Sequence, residues 1–168
     1  PGTRIVLYPG MQIGVKGKII ANGTPDSMIV FTSDPRGTGL GLTRIEGEGG
    51  ETDTDTLRYC VFERIAHPMW GGNYYVEHCV FNEVGTTFSE LLFLGNFEFI
   101  HNEIKNSSVG IIFPFNSPNI RYNNFHDLVS TFVVWTQLAS DFQHNNMYNV
   151  VSTWSSDERA GAFSLNST

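Results

Sequence analysis

From Leu57 onward, short blocks of alternating apolar and polar residues recur. The hexapeptides Leu57–Phe62, Val76–Phe81, Phe99–Ile104, Ile120–Phe125 and Phe142–Met147 share one frame: apolar, any, Tyr or His, Asn or Cys, any, apolar; the shorter Phe163–Asn166 follows it with Leu165 at the ring position. Their pivots, Cys60, Cys79, Asn102, Asn123, Asn145 and Asn166, stand 19, 23, 21, 22 and 21 residues apart. The blocks are rich in β-branched and aromatic residues and show no helical period. A unit of about 21 residues is too short for a propeller blade or a helix pair and suits one turn of a β-solenoid. A leucine-rich repeat has a similar length, but only Leu91 to Leu94 faintly matches its frame.

The rest of the chain fits the same plan. Arg4–Tyr8, Met11–Val15, Lys18–Ala21 and Met28–Thr32 read as strands cut by turns at Pro9-Gly10, Lys16-Gly17 and Asn22 to Pro25. The pattern therefore predicts one all-β domain, with opening coils over 1–33, a Gly-rich acidic loop region over 34–56 and pivot-bearing coils over 57–168. Within the loop region a weak strand is predicted at Leu40 to Ile45 and a projecting polar loop from Glu46 to Thr56. Inward residues should stack from coil to coil: Phe62, Phe81, Ile104, Phe125 and Met147 in one row, and Leu57, Val76, Phe99, Ile120 and Phe142 in another. About seven coils at a spacing of ~4.8 Å would make a rod some 30 to 35 Å long.

The recurring apolar-x-x-Asn-x-apolar frame resembles the right-handed parallel β-helix repeats of the pectate-lyase-like superfamily. The resemblance implies that Asn102, Asn123, Asn145 and Asn166 stack at a tight corner, with Cys60 and Cys79 replacing Asn in the first two rungs. Stacked amides can hydrogen-bond one another and the bent backbone, and Asn tolerates left-handed backbone angles. The column is structural. The same resemblance places the protein outside the cell or on its surface, as a scaffold for carbohydrate binding, adhesion or self-assembly. It also keeps a polysaccharide lyase or glycoside hydrolase as the alternative. No cap is recognisable at either end, so the expectation is a longer chain or end-to-end self-association.

Composition narrows the partners. Of 168 residues 16% are charged, against about 25% in an average globular protein, and the net charge is -7 with only 3 Lys. A nucleic-acid groove, which needs clustered cations, is not expected. No apolar run reaches the roughly 18 residues of a membrane-spanning helix, so no membrane insertion is expected. Sequons at Asn22, Asn106 and Asn166 are near the number expected by chance, and permit secretion without showing it.

Several residues carry candidate chemistry. Tyr59, His78, His101, Tyr122 and His144 precede the pivots and would form a column of rings, either a sugar-binding or metal-binding strip or a stack that only supports the corner. Trp70, Tyr74, Tyr75, Phe115, Trp135 and Trp154 lie between the repeat cores, where exposed aromatics could grip sugar rings. Cys60 and Cys79 fall at equivalent positions in adjacent coils, within reach of a disulfide or packed as two buried thiols. A catalytic carboxylate cluster does not recur on neighbouring rungs, so no catalytic residue is assigned. The best remaining constellations are Glu77 with Arg58 and Arg121, and Asp127 with His126. Asp53 and Asp55 alternate like weak calcium ligands but lack an EF-hand frame, so no cofactor or metal is assigned.

Overall fold

The structure, a computed structural model, describes residues 1–34, 44–47, 54–70, 73–85, 91–92, 97–107, 111–112, 119–128 and 141–150. Trp135, Trp154, Phe115 and Asn166 lie outside these residues, as does Asp53. Strands follow one another in groups of three. They are β1 (Arg4–Leu7), β2 (Gln12–Val15) and β3 (Ile20–Asn22), then β4 (Ile29–Ser33), β5 (Arg44–Gly47) and β6 (Thr54–Arg58). Next come β7 (Cys60–Glu63), β8 (His67–Trp70) and β9 (Asn73–Glu77), and β10 (Val80–Asn82), β11 (Leu91–Leu92) and β12 (Phe97–Ile100). The last are β13 (Glu103–Lys105), β14 (Ile111–Ile112) and β15 (Asn119–Arg121), then β16 (Asn124–Leu128), β17 (Asp141–Gln143) and β18 (Asn146–Val150). No helix occurs among the described residues, so none is long and apolar enough to cross a membrane.

Each strand pairs in parallel with its counterpart one coil away, which makes the fold an all-β parallel solenoid. The first sheet runs β1-β4-β7-β10-β13-β16-β18, the second β2-β5-β8-β11-β14 and the third β3-β6-β9-β12-β15-β17. Only the first face reaches seven rungs; the others have five and six, so fewer than the expected seven coils close on all three sides among the described residues.

Period-two alternation decides which side chains turn inward. In β7 the burial alternates from Cys60 through Glu63, and in β10, β13 and β15 only the middle residue is buried. The register stacks Ile5, Phe31, Phe62, Phe81, Ile104, Phe125 and Met147 in one row. A second row takes Ala21, Leu57, Val76, Phe99 and Ile120, and the backbone register continues it to position 142. Phe31, Phe62 and Phe81 stack with ring centroids 5.0 and 4.9 Å apart. Each such buried side chain contributes about 1.5 to 3 kcal/mol before the entropy of ordering is counted.

The loop region differs from the sequence expectation. Arg44–Gly47 form a strand that overlaps the expected one, whose residues 40–43 lie outside the described residues, while Thr54 to Thr56 belong to β6 instead of a projecting loop. Asp55 is buried and its Oδ1 accepts a hydrogen bond from Ile19 N at 2.8 Å. That inward role removes it as an exposed calcium ligand, because its carboxylate ties two coils together.

Corners, more than strands, give the chain its regular turn. Tyr59, His78, His101, Tyr122 and His144 all have positive φ, between 49° and 59°. A second column, Arg64, Glu83, Asn106, Asp127 and Asn149, repeats the same conformation with φ of 49° to 54°. An L-residue in this region costs roughly 1 kcal/mol or more, and the cost recurs in coil after coil. The left-handed residue is thus the ring before the pivot and not the Asn pivot. The pivot must point its amide inward, so the preceding residue makes the bend and sends its own side chain outward.

Candidate functional site

The pivots form a continuous hydrogen-bonded column just inside the corner. Asn123 Oδ1 accepts from the Asn102 backbone N–H at 2.8 Å and from Asn102 Nδ2 at 3.2 Å. Asn145 Oδ1 does the same for Asn123, at 2.9 Å for each donor. The amide nitrogens of Asn102, Asn123 and Asn145 also donate to the carbonyls of Val76, Phe99 and Ile120 at 3.0, 2.8 and 2.9 Å.

Cys60 and Cys79 continue the column with weaker chemistry. Both thiols are free and buried. Cys79 Sγ contacts the Leu57 carbonyl at 3.5 Å, three residues before the pivot Cys60 as in the Asn rungs, and Cys60 Sγ contacts the Ala21 carbonyl at 3.5 Å. A thiol is a weak donor and a weak acceptor, so it fills the site while bonding less. Burial pushes the Cys79 thiol well above its usual pKa, which keeps it protonated.

Outside the corner the five rings stack face to face. Centroid distances are 4.9 Å for Tyr59–His78, 5.2 Å for His78–His101, 5.1 Å for His101–Tyr122 and 5.1 Å for Tyr122–His144, with interplanar angles of 4° to 13°. His78, His101 and Tyr122 each have both faces covered by neighbours. Face-on sugar stacking is therefore closed to them, and what they offer is a row of edges bearing Tyr hydroxyls and imidazole nitrogens. Tyr122 is 49% exposed.

An open groove of about 480 Å³ runs beside these edges. Its other wall takes Val80, Glu103 and Asn124 from outward positions of the first sheet, and Pro25 also lines it. Next to it lies a charged cluster. His126 Nε2 faces Glu103 Oε1 at 2.9 Å and its Nδ1 faces Asp127 Oδ2 at 2.8 Å. Lys105 Nζ holds Glu103 Oε2 at 3.0 Å, Asn149 Nδ2 donates to Asp127 Oδ1, and the Tyr148 ring stacks on His126 at 4.8 Å. Burial opposes a charge on Glu103, yet the hydrogen bonds from His126 and Lys105 hold its carboxyl below the ordinary range. Among the described residues no group of three or more His, Cys, Asp and Glu is placed to hold a metal ion.

The remaining candidates scatter. Tyr74 is 1% exposed and belongs to the core, because it shares the inward parity of Val76 two residues later. It is not a surface platform. Tyr75, on the opposite face, accepts a hydrogen bond from Arg58 at 3.3 Å, and the guanidinium lies 5.0 Å from its ring centroid. Arg58 also pairs with Glu77 at 2.8 Å. Trp70 ends β8, opposite Leu92 in the register, away from the corner groove. Sequence reasoning pairs His126 with Asp127 and sets Glu103 beside the ring column, but does not join Glu103 and Lys105 to His126; only the register Lys105↔His126 and Glu103↔Asn124 brings them alongside. Comparison with family models, curated proteins and solved structures gives no match for this chain, so the site is read from its own geometry.

Proposed function

We propose that this protein is a β-solenoid scaffold that binds a linear glycan along the corner groove, outside the cell or at its surface. The observation that carries this reading is the row of ring edges repeating every 4.9 to 5.2 Å beside an open groove. A periodic surface suits a periodic ligand. Tyr hydroxyls, imidazole nitrogens and the Asn124 amide can exchange hydrogen bonds with sugar hydroxyls, while Val80 and Pro25 offer apolar contact to a ring face. The volume falls in the range of about 300 to 1,000 Å³ typical of ligand sites. The sequon residues Asn22 and Asn106 are both exposed, which is compatible with passage through a secretory route.

Isothermal titration against soluble linear glycans tests the proposal. Tyr122→Ala should weaken binding roughly tenfold, equivalent to about 1.4 kcal/mol, with circular dichroism unchanged. A chain that binds no glycan, or binds equally well after Tyr122→Ala and His101→Ala, sinks it.

The enzyme reading draws on one observation: Glu103, Lys105, His126 and Asp127 converge from neighbouring coils beside the groove. Glycosidase carboxylates flank the sugar bond they cleave. Here an imidazole fills the space between the two carboxylates, and each Glu103 oxygen already has a protein partner. This closed arrangement favours binding over turnover. Release of reducing ends from a glycan, abolished by Glu103→Gln, would reverse the ranking.

A further inference from the structure

We infer that His126 is a positioning residue for the groove: bridging Glu103 on β13 and Asp127 on β16 as an imidazolium, it fixes the direction of the Glu103 carboxylate that walls the groove. Both ring nitrogens face carboxylate oxygens, at 2.9 and 2.8 Å. A neutral imidazole carries one N–H and can serve only one of them; the imidazolium donates to both. Tyr148, stacked at 4.8 Å and 5°, keeps the ring in its plane.

The groups facing His126 among the described residues are Glu103 and Lys105 from β13, Asp127 on its own strand and Tyr148 from β18. With His126 protonated, the two cations balance the two carboxylates. Once the proton leaves, one ring nitrogen becomes an acceptor pointed at a carboxylate and the cluster carries one net negative charge. When the remaining proton stays on Nδ1, Glu103 keeps only Lys105 and is free to turn toward the groove. Burial opposes the charge on His126, but the Asp127 and Glu103 carboxylates outweigh it and raise the pKa, so the bridge persists above the pH at which an ordinary imidazole empties. The ligand half of this inference rests on the glycan reading; the positioning half does not.

The experiment is an NMR titration of the free protein, following the His126 ring and the Glu103 carboxyl carbon, with affinities for cellohexaose and hexagalacturonate on either side of the midpoint. Both nuclei should move with one midpoint, and Glu103→Gln should lower the His126 midpoint by about one pH unit. Asp127→Asn should lower it in the same direction and serves if the first variant does not fold. Hexagalacturonate binding should fall roughly threefold relative to cellohexaose as pH rises through the midpoint, the expected response to one added like charge, and in Glu103→Gln this fall should move with the His126 midpoint to lower pH. A His126 midpoint indifferent to both variants, or a Glu103 carbon that does not respond, overturns the proposal. If neither glycan binds at any pH, the glycan reading fails alone and the coupled titration decides the positioning role.

Discussion

Asn123 and Asn145 are joined twice, since one amide oxygen of Asn145 receives both the backbone N–H and the side-chain Nδ2 of Asn123 at 2.9 Å. Asn123 repeats this toward Asn102, so each amide satisfies the coil before it. Asn123→Ala strips partners from the Asn102 N–H and the Phe99 carbonyl, both in the interior. An orphaned buried polar group costs about 1 to 3 kcal/mol, and the expected loss is therefore about 3 kcal/mol in urea unfolding. A loss under about 1 kcal/mol would mean that the column merely lines the corner.

The second corner column offers the opposite test. Asn106, Asp127 and Asn149 occupy its left-handed positions, but the fourth coil uses Glu83 with φ of 54°. Glu83 is exposed and lacks the short amide that tolerates this region. Glu83→Asn should raise stability by roughly 0.5 to 1 kcal/mol, the size of gain common when a strained site receives a compatible residue. Thermal unfolding at a fixed pH measures it, and an unchanged or lower midpoint would show that the corner relaxes around Glu83 without strain.

How much of this architecture the chain announces depends on parity. The two inward rows follow from alternation around the pivots, and the register Phe62↔Phe81↔Ile104↔Phe125 places them as the pattern predicts. The same parity, counted back from Val76 and Leu57, puts Tyr74 and Asp55 inside; reading those stretches as variable loops hid it. Intrinsic tolerance alone assigns the bend to Asn, whereas tertiary demand for an inward amide moves the bend to His101 and Tyr122. The cluster around His126 was half legible. Asp127 is adjacent in sequence, while Glu103 and Lys105 are 23 and 21 residues away, and coil lengths that vary from 19 to 23 conceal which side chains meet.

Cys60 and Cys79, free and fully enclosed, should be invisible to a thiol reagent in the native protein. Reactivity requires both access and thiolate, and the Cys79 thiol, raised by burial, lacks both. The aromatic disulfide reagent DTNB should titrate none before unfolding and both thiols in guanidinium. Denatured protein that still shows no thiol would mean that the two are joined, as in-register neighbours in an oxidising compartment can be.

Stability should pass through a maximum set by His126 and its two carboxylates. His126 has a raised folded pKa, so its contribution is complete below the unfolded imidazole value of about 6.5 and is lost as pH rises through the folded value. Glu103 and Asp127 have lowered folded pKa values. Their contribution is complete above the unfolded carboxylate range near 4 and is lost as pH falls through the folded values. All three terms coexist between those limits, where the unfolding midpoint of the native protein should be highest. His126→Gln removes the imidazolium and with it the alkaline limb, since Gln can donate to one carboxylate at any pH but cannot lose a proton. Thermal melts from about pH 3 to about pH 9 compare the two proteins over the window that linkage defines. Parallel curves above neutrality would detach His126 from the stability of the coils, whereas curves that converge as pH rises assign the alkaline loss to this one ring.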